Sequence, residues 1–282
     1  MNAIEMKHVS KTYGSFAIKD LNLTLPEGCI LGLVGENGAG KSTTIGLLMH
    51  AVLKEAGEIK VLGVDNTSKE FQDVREDVGI VLDEAYFPEV LNGRDVNKIM
   101  KYTYKNWEEE TFFRYLTQFG IERQKMFKEY SKGMKMKLAI AVALSHRARL
   151  LILDEATSGL DPIVRDEILD IFNEFTREEN HSVLISSHIV SDLEKICDYV
   201  AFLHQGTLVL HEEKDRLQET YGILRLGRKE AEDIPKEAIA GVRDNGYYKE
   251  MLVKRRLLPG NYTIERAGIE EIILYLARGE QI

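Results

Sequence analysis

The sequence predicts an α/β fold. A mostly parallel sheet forms its core, with an N-terminal antiparallel β subdomain, an inserted helical subdomain and a small C-terminal α+β appendage. Three observations predict it. Residues 29–34 are a short apolar run ending in a glycine-rich turn, after which a helical pattern begins. Similar runs at 79–82, 150–154 and 182–186 alternate with stretches of helical periodicity, as parallel strands covered on both faces do. Residues 94–149 are helical throughout, in one block between two of those strands.

Each element has its own reason. Residues 3–9 alternate weakly as a strand, 11–14 read as a turn, and 16–25 as a second strand with Ala17, Leu21, Leu23 and Leu25 apolar. Pro26, Glu27 and Gly28 then turn the chain into 29–34. Residues 43–53 put Ile45, Leu48, Met49 and Val52 on one helical face. Short strands follow at 58–62 and 79–82, and a loop over 83–92. In the helical block, Val96, Ile99, Met100 and Tyr104 share a face, as do Phe112, Tyr115, Leu116 and Phe119. A third helix runs from 131 to about 146. Pro162 opens a helix to about 177. A helix over 189–197 and a hairpin, 199–203 with 207–211 around Gln205-Gly206, complete the core. From 214 onward charge rises and the strands weaken, at 222–226 and 251–253. The last clear element, 269–277, offers Ile272, Ile273 and Leu276 to a packing partner. The chain therefore divides at 1–213 and 214–282, with the helical subdomain at about 94–149.

Composition narrows the function. The 282 residues are 44% hydrophobic and 29% charged, enough for a large core. A net charge of −9 argues against broad nucleic-acid binding, so no nucleic-acid partner is expected. Cys29 and Cys197 lie far apart in apolar segments and read as free thiols of a reducing cytosol. No apolar run is long enough to span a membrane, and residues 1–10 lack a basic segment followed by an apolar one. The sequons at Asn22 and Asn261 therefore read as chance matches. Any role at a membrane runs through a partner.

Residues 31–44, LGLVGENGAGKSTT, contain G-x-x-x-x-G-K-S without a mismatch from Gly35 to Ser42, the P-loop. The core is thus a P-loop NTPase. Backbone at Gly35, Glu36, Asn37, Gly38, Ala39 and Gly40 is expected to wrap phosphate oxygens, with Lys41, Ser42 and Thr43 opening a helix whose free N–H groups face the same anion. Lys41 is expected to reach the β- and γ-phosphates, and Ser42 to ligate Mg²⁺. The strand 150–154 ends in Asp154 and Glu155, one carboxylate to hold Mg²⁺ through water and one to orient a water for attack. In Tyr130-Ser131-Lys132-Gly133-Met134, Ser131 can cap the third helix of the helical block.

Together with Ser158-Gly159-Leu160-Asp161, these motifs resemble the nucleotide-binding subunit of an ABC transporter, over roughly residues 3–212. YSKGM stands where the family's signature usually reads LSGGQ, keeping Ser131 and Gly133. The resemblance implies that Asp161 is among the nucleotide-binding residues, and that Ser131 and Gly133 face ATP bound by a second subunit. Lys132 either adds positive charge there or points to water. It also implies that His188, in Ser186-Ser187-His188, is the switch histidine at the γ-phosphate. Tyr13, in Lys11-Thr12-Tyr13-Gly14, is implied as the adenine platform, against the alternative of a turn tyrosine packing on the β layer. One departure stands out. The family's Q-loop glutamine is absent from Val81-Leu82-Asp83-Glu84-Ala85, leaving Asp83 as the positional match for its Mg²⁺ contact and Glu84 as second choice.

The resemblance implies an ATPase using ATP and Mg²⁺, with Lys41, Glu155 and His188 catalytic. It implies work as a head-to-tail dimer with a like or paralogous ATPase subunit. The chain is expected on the cytoplasmic face of the membrane, bound to polytopic permease subunits of an exporter. A soluble scaffold ATPase, and a regulatory subunit that binds ATP with little hydrolysis, are the alternatives. The 214–282 appendage resembles, more weakly, the tail of bacterial drug, antibiotic and peptide exporter ATPases.

Overall fold

The computed structural model describes residues 1–84 and 87–278. Ala85 and Tyr86, in the loop expected over 83–92, lie outside the described residues. The strands are β1 (Asn2–Tyr13), β2 (Phe16–Pro26), β3 (Ile30–Val34), β4 (Ala56–Val61), β5 (Val64–Asp65), β6 (Val78–Val81), β7 (Leu150–Asp154), β8 (Ser182–Ser187), β9 (Tyr199–His204), β10 (Thr207–Glu213), β11 (Tyr221–Gly227), β12 (Ile239–Asp244), β13 (Tyr248–Lys254) and β14 (Glu265–Arg266). The helices are α1 (Lys41–Leu48), α2 (Phe71–Val74), α3 (Gly93–Thr103), α4 (Glu109–Gln118), α5 (Lys132–Leu144), α6 (Pro162–Phe175), α7 (Val190–Ile196), α8 (Lys214–Thr220) and α9 (Ile269–Arg278).

The central sheet has six strands in the order β10-β9-β3-β8-β7-β6. All pairs within β9-β3-β8-β7-β6 are parallel, and β10 returns antiparallel to β9. Every residue of β3, β7 and β8 is buried. The two faces still separate with a period of two. Ile30, Val34, Leu151, Leu153, Val183 and Ile185 share one core with α5, α6 and α7. Leu31, Leu33, Leu150, Ile152 and Leu184 share the other with α1 and the antiparallel sheet β2-β1-β4-β5. Strands with two apolar faces must be covered twice, so the continuous apolar runs in the sequence and the two-sided layering are one fact.

Several elements differ from their sequence reading. α1 ends at Leu48 rather than 53, because His50 turns into the left-handed region (φ +57) and the N–H groups of Ala51 and Val52 return to Gly46 O. Strand β1 continues through Lys11–Tyr13, so the turn lies at 14–15. On α3 the buried face is turned: Val96 and Asn97 are inside and Ile99 is exposed. Asn97 is tolerated there because its Oδ1 accepts from Trp107 Nε1 at 2.9 Å.

Residues beyond 213 fold as α8 plus a four-stranded antiparallel sheet, β12-β13-β11-β14, two strands more than the sequence pattern suggested. β14 is too short to show an alternation, and β12 has its non-polar residues in one run, Ile239 to Val242, followed by Arg243 and Asp244. The apolar face of α9 finds its partner in the main core: Ile269, Ile272 and Ile273 pack in the same cluster as Leu193 and Ile196 of α7. Glu194 on α7 also accepts from the Ile269 N–H and from Gln218 Nε2, both at 3.2 Å.

Candidate active site

The site forms at the C-terminal ends of β3, β7 and β8. Register sets it. Ser186 on β8 lies opposite Leu33 on one side and Asp154 on the other, so one serine is wedged between the strand feeding the glycine-rich loop and the strand carrying the carboxylates. Ser186 Oγ donates to Asp154 Oδ1 at 2.5 Å, and Ser186 O accepts from Glu155 N at 3.1 Å. Glu155 is held at φ +51, a left-handed conformation that costs an L-residue about 1–2 kcal/mol. That backbone turn swings its carboxylate off the strand axis toward the loop.

The glycine-rich loop is clamped from behind. Gly40 takes φ +112, and a Cβ there would stand 2.6 Å from Ile18 Cδ1 and 2.9 Å from Phe16 Cζ, so only glycine lets α1 start this close to β2. The hairpin turn Gln205-Gly206 has positive φ at both residues, as a two-residue type I′ turn requires. Gly206 N donates to Ala39 O, and Gly206 O accepts from Lys19 N, each at 3.0 Å. This clamp was not legible in the sequence beyond the hairpin itself.

Lys41 is buried, and its ammonium turns inward. Nζ donates to Gly35 O at 2.7 Å and Glu36 O at 3.3 Å, and lies 3.2 Å from Glu155 Oε1. The last contact is an ion pair without hydrogen-bond alignment, so Oε1 keeps its accepting capacity. The other carboxylate oxygen, Oε2, lies 2.7 Å from His188 Nδ1. With Glu155 ionised, Nδ1 carries the hydrogen, and Nε2 of the half-exposed ring is left as an acceptor. The structure thus joins Lys41, Asp154, Ser186, Glu155 and His188 in one connected group. Ser42, at the exposed mouth of the loop, leads the same helix, with Thr43 half-buried behind it.

Other candidates lie apart from this group. Tyr13, 46% exposed, pairs in register with Phe16, whose ring backs Gly40, and Lys11 Nζ stands 5.2 Å from its ring centroid. Ser131 caps α5 by accepting from Met134 N at 3.3 Å, and the Asp161 carboxylate caps α6 by accepting from Val164 N at 3.1 Å. A Cβ at Gly133 would meet only Val164 and Leu160, at ordinary contact distance. Asp83 is exposed and accepts from Glu84 N at 2.9 Å. It follows β6, whose Val81 pairs with Leu153 of β7, one strand spacing, about 5 Å, from the strand that ends in Asp154 and Glu155. Among the described residues no hydrogen bond or ion pair joins Ser131, Gly133, Asp161 or Asp83 to the Lys41 group.

A phosphate-binding loop with its lysine beside a carboxylate and a histidine, on a parallel sheet carrying a helical insertion, defines a nucleotide-hydrolysing P-loop ATPase. The chain belongs to the ABC transporter family, which its residues 18–158 match. It is 33% identical over 209 residues to the bacitracin transport ATP-binding protein BcrA of Enterococcus faecalis, covering 73% of this chain and 68% of that one. It is 34% identical over 215 residues to the lantibiotic transport ATP-binding protein SrtF of Streptococcus pyogenes, covering 75% and 91%. The solved ATP-binding subunit of an ABC transporter matches with a TM-score of 0.70 at 26% identity, over 77% of this chain and 92% of that one. CbiO1 of Clostridium perfringens, part of the ABC transporter complex cbiONQ, matches with a TM-score of 0.66 at 25% identity, over 77% and 90%. This chain is therefore an ATP-binding, ATP-hydrolysing subunit of an ABC transporter. Among the described residues no helix is long and apolar enough to cross a membrane.

Proposed function

We propose that this ATPase drives an exporter of antibiotic peptides, docked on the cytoplasmic face of the membrane against polytopic permease subunits. Residues 1–213 are the motor and 214–282 the appendage. The named substrates of BcrA and SrtF support the substrate class. The observation that carries the catalytic reading is the placement of Glu155 between the loop lysine and His188.

In this reading Lys41 leaves the Gly35 and Glu36 carbonyls for the β- and γ-phosphates of ATP. Glu155, freed from the ion pair, accepts a hydrogen bond from the attacking water. His188 holds Glu155 through Nδ1–H, and a hydrogen bond from Nε2 to the γ-phosphate requires that Nε2 carry a hydrogen as well. The donors near the loop suit Mg²⁺: the exposed Ser42 hydroxyl and the Asp154 carboxylate are hard oxygen ligands. No cluster of three or more acidic, histidine or cysteine ligands occurs among the described residues, which fits an ion that takes its remaining ligands from phosphate and water. When bound, Mg²⁺ neutralises charge on the transferring phosphoryl group. Tyr13 supplies a face for adenine.

Ser131, Gly133 and Asp161, absent from the Lys41 group, complete the site of a second ATPase subunit in a head-to-tail dimer. The N-terminus of α5 then turns its positive end to that subunit's γ-phosphate. Asp83, in the Q-loop position beside the strand that carries Asp154, contacts Mg²⁺ and couples the site to the permease. Extraction of native membranes in detergent tests the whole reading: a polytopic protein is expected to co-purify and to raise the ATPase rate. Recovery of a fully active ATPase from the soluble fraction alone, with no membrane partner, would overturn it.

A further inference from the structure

Two charged residues outside the Lys41 group sit where its two moving parts meet. Arg165 lies on α6, just after the loop that leaves Glu155. Asp192 lies on α7, just after His188. Arg165 Nη1 is 3.7 Å from Asp192 Oδ1, and Nη2 of the same guanidinium donates to Leu160 O at 3.3 Å. Asp192 is only 3% exposed. These contacts close a ring. It runs from Glu155 through the 156–161 loop to Leu160, across Arg165 to Asp192, back along the start of α7 to His188, and from His188 Nδ1 to Glu155 Oε2.

The pair is poorly built for stability alone. At 3.7 Å it is longer than a hydrogen bond, and Asp192 Oδ2 and Arg165 Nε are buried with no protein partner among the described residues. A buried ion pair left half satisfied is worse than an apolar contact of the same volume. The spare donor and acceptor would meet if α6 and α7 approached by a fraction of an ångström. That approach would carry Leu160 and its loop toward the base of His188. By contrast Asp166 and Lys195 bridge the same two helices at 2.9 Å on the exposed side, where an ion pair adds little.

We propose that Arg165 and Asp192 are positioning residues that tie the loop after Glu155 to the helix after His188. They fix the distance between the carboxylate and the imidazole during turnover. The proposal rests on the reading of Glu155 and His188 as the groups acting at the γ-phosphate.

The test uses the full chain in its transporter complex, reading kcat, KM for ATP, affinity for ADP and thermal unfolding. Arg165→Met strands the buried Asp192 charge, so it is expected to lower both Tm and kcat, the latter tenfold or more, with KM and ADP affinity within twofold of wild type. The double variant Arg165→Met/Asp192→Leu removes the stranded charge and is expected to restore Tm while kcat stays low. Lys195→Gln, which breaks only the exposed bridge, is expected to keep kcat within twofold. Wild-type kcat in the double variant, or an equal loss of kcat in Lys195→Gln, would show that only helix packing matters and overturn the proposal. Glu155→Gln, run alongside, separates the two levels. If it turns over normally, the reading of the site itself fails. If it is inactive and the double variant active, only the positioning role fails.

Discussion

Lys41 Nζ lies 3.2 Å from Glu155 Oε1 while also donating to the carbonyl oxygens of Gly35 and Glu36. One buried ammonium thus holds both the phosphate loop and the carboxylate at the end of β7. In the proposed function nucleotide phosphate competes with Glu155 for that ammonium, and the exchange releases the carboxylate for the attacking water. Glu155→Gln keeps the side-chain volume and loses the charge. Turnover is expected to fall by about 10²-fold or more, the worth of a positioned general base. ATP affinity is expected to hold or rise, because a neutral amide no longer competes for Lys41. Phosphate release together with equilibrium nucleotide binding checks both, and substantial steady-state hydrolysis by the variant would contradict the role of Glu155.

Ser186 makes a second prediction. Its hydroxyl is the buried donor to Asp154 Oδ1, and its carbonyl accepts from Glu155 N. Ser186→Ala leaves the carbonyl in place and strips Asp154 of its donor, at a cost of about 1–3 kcal/mol in stability. Asp154 is then free to rotate, so the Mg²⁺ concentration giving half-maximal ATPase is expected to rise severalfold while the limiting rate at saturating Mg²⁺ changes less. A Mg²⁺ titration at fixed ATP decides it: an unchanged midpoint would remove Asp154 orientation from the account.

Much of this site was legible in advance, for a physical reason. Gly35 to Ser42, Asp154-Glu155 and His188 each sit directly at the end of an apolar run, and a strand fully buried on both faces leaves its chemistry to the residues just past its end. What escaped the sequence depended on contacts between distant segments. The clamp of Gly206 on Ala39, the wedge of Ser186 between two strands, and the Arg165–Asp192 pair arise from register and helix packing, which local periodicity does not encode. The turned face of α3 has the same origin, since Asn97 is buried only because Trp107 supplies a donor.

Gly206 tests the clamp. A Cβ there would stand 1.8 Å from Ala17 O, against backbone that has no rotamer to yield, and φ is +78. Gly206→Ala is expected to cost at least about 3 kcal/mol, in the range of severe backbone and overpacking changes. The damage should reach the loop at Ala39, so nucleotide affinity is expected to fall even in the fraction that remains folded. Gly246→Ala is the comparison: its φ is also positive but nothing lies within 4 Å of a Cβ there, so it carries only the backbone penalty. Thermal unfolding and ADP binding of the two variants separate clash from conformation.

His146 gives the fold a pH dependence. It is wholly buried, stacked on Tyr104 with ring centroids 4.0 Å apart, and its Nδ1 lies 2.9 Å from Glu76 O. The Nδ1–H therefore donates to that carbonyl, and Nε2 has no partner among the described residues. Protonation would place a second N–H in the core with nothing to accept it, and burial accordingly pushes the His146 pKa below its ordinary value near 6.5. In the unfolded chain the imidazole titrates freely. Above about pH 6.5 the ring is neutral in both states and contributes its full packing. Below it the unfolded state takes up a proton that the folded state refuses, so stability falls with pH until the lowered folded pKa is reached. His211, half-buried and shifted downward for the same reason, adds to the slope. His146→Phe keeps the stacking, loses the bond to Glu76 O, and is expected to cost about 1 kcal/mol at pH 8. It should also flatten the decline between pH 6.5 and 5. Denaturant unfolding at a series of pH values measures both effects, and a variant with the wild-type slope would assign the acid sensitivity to other groups.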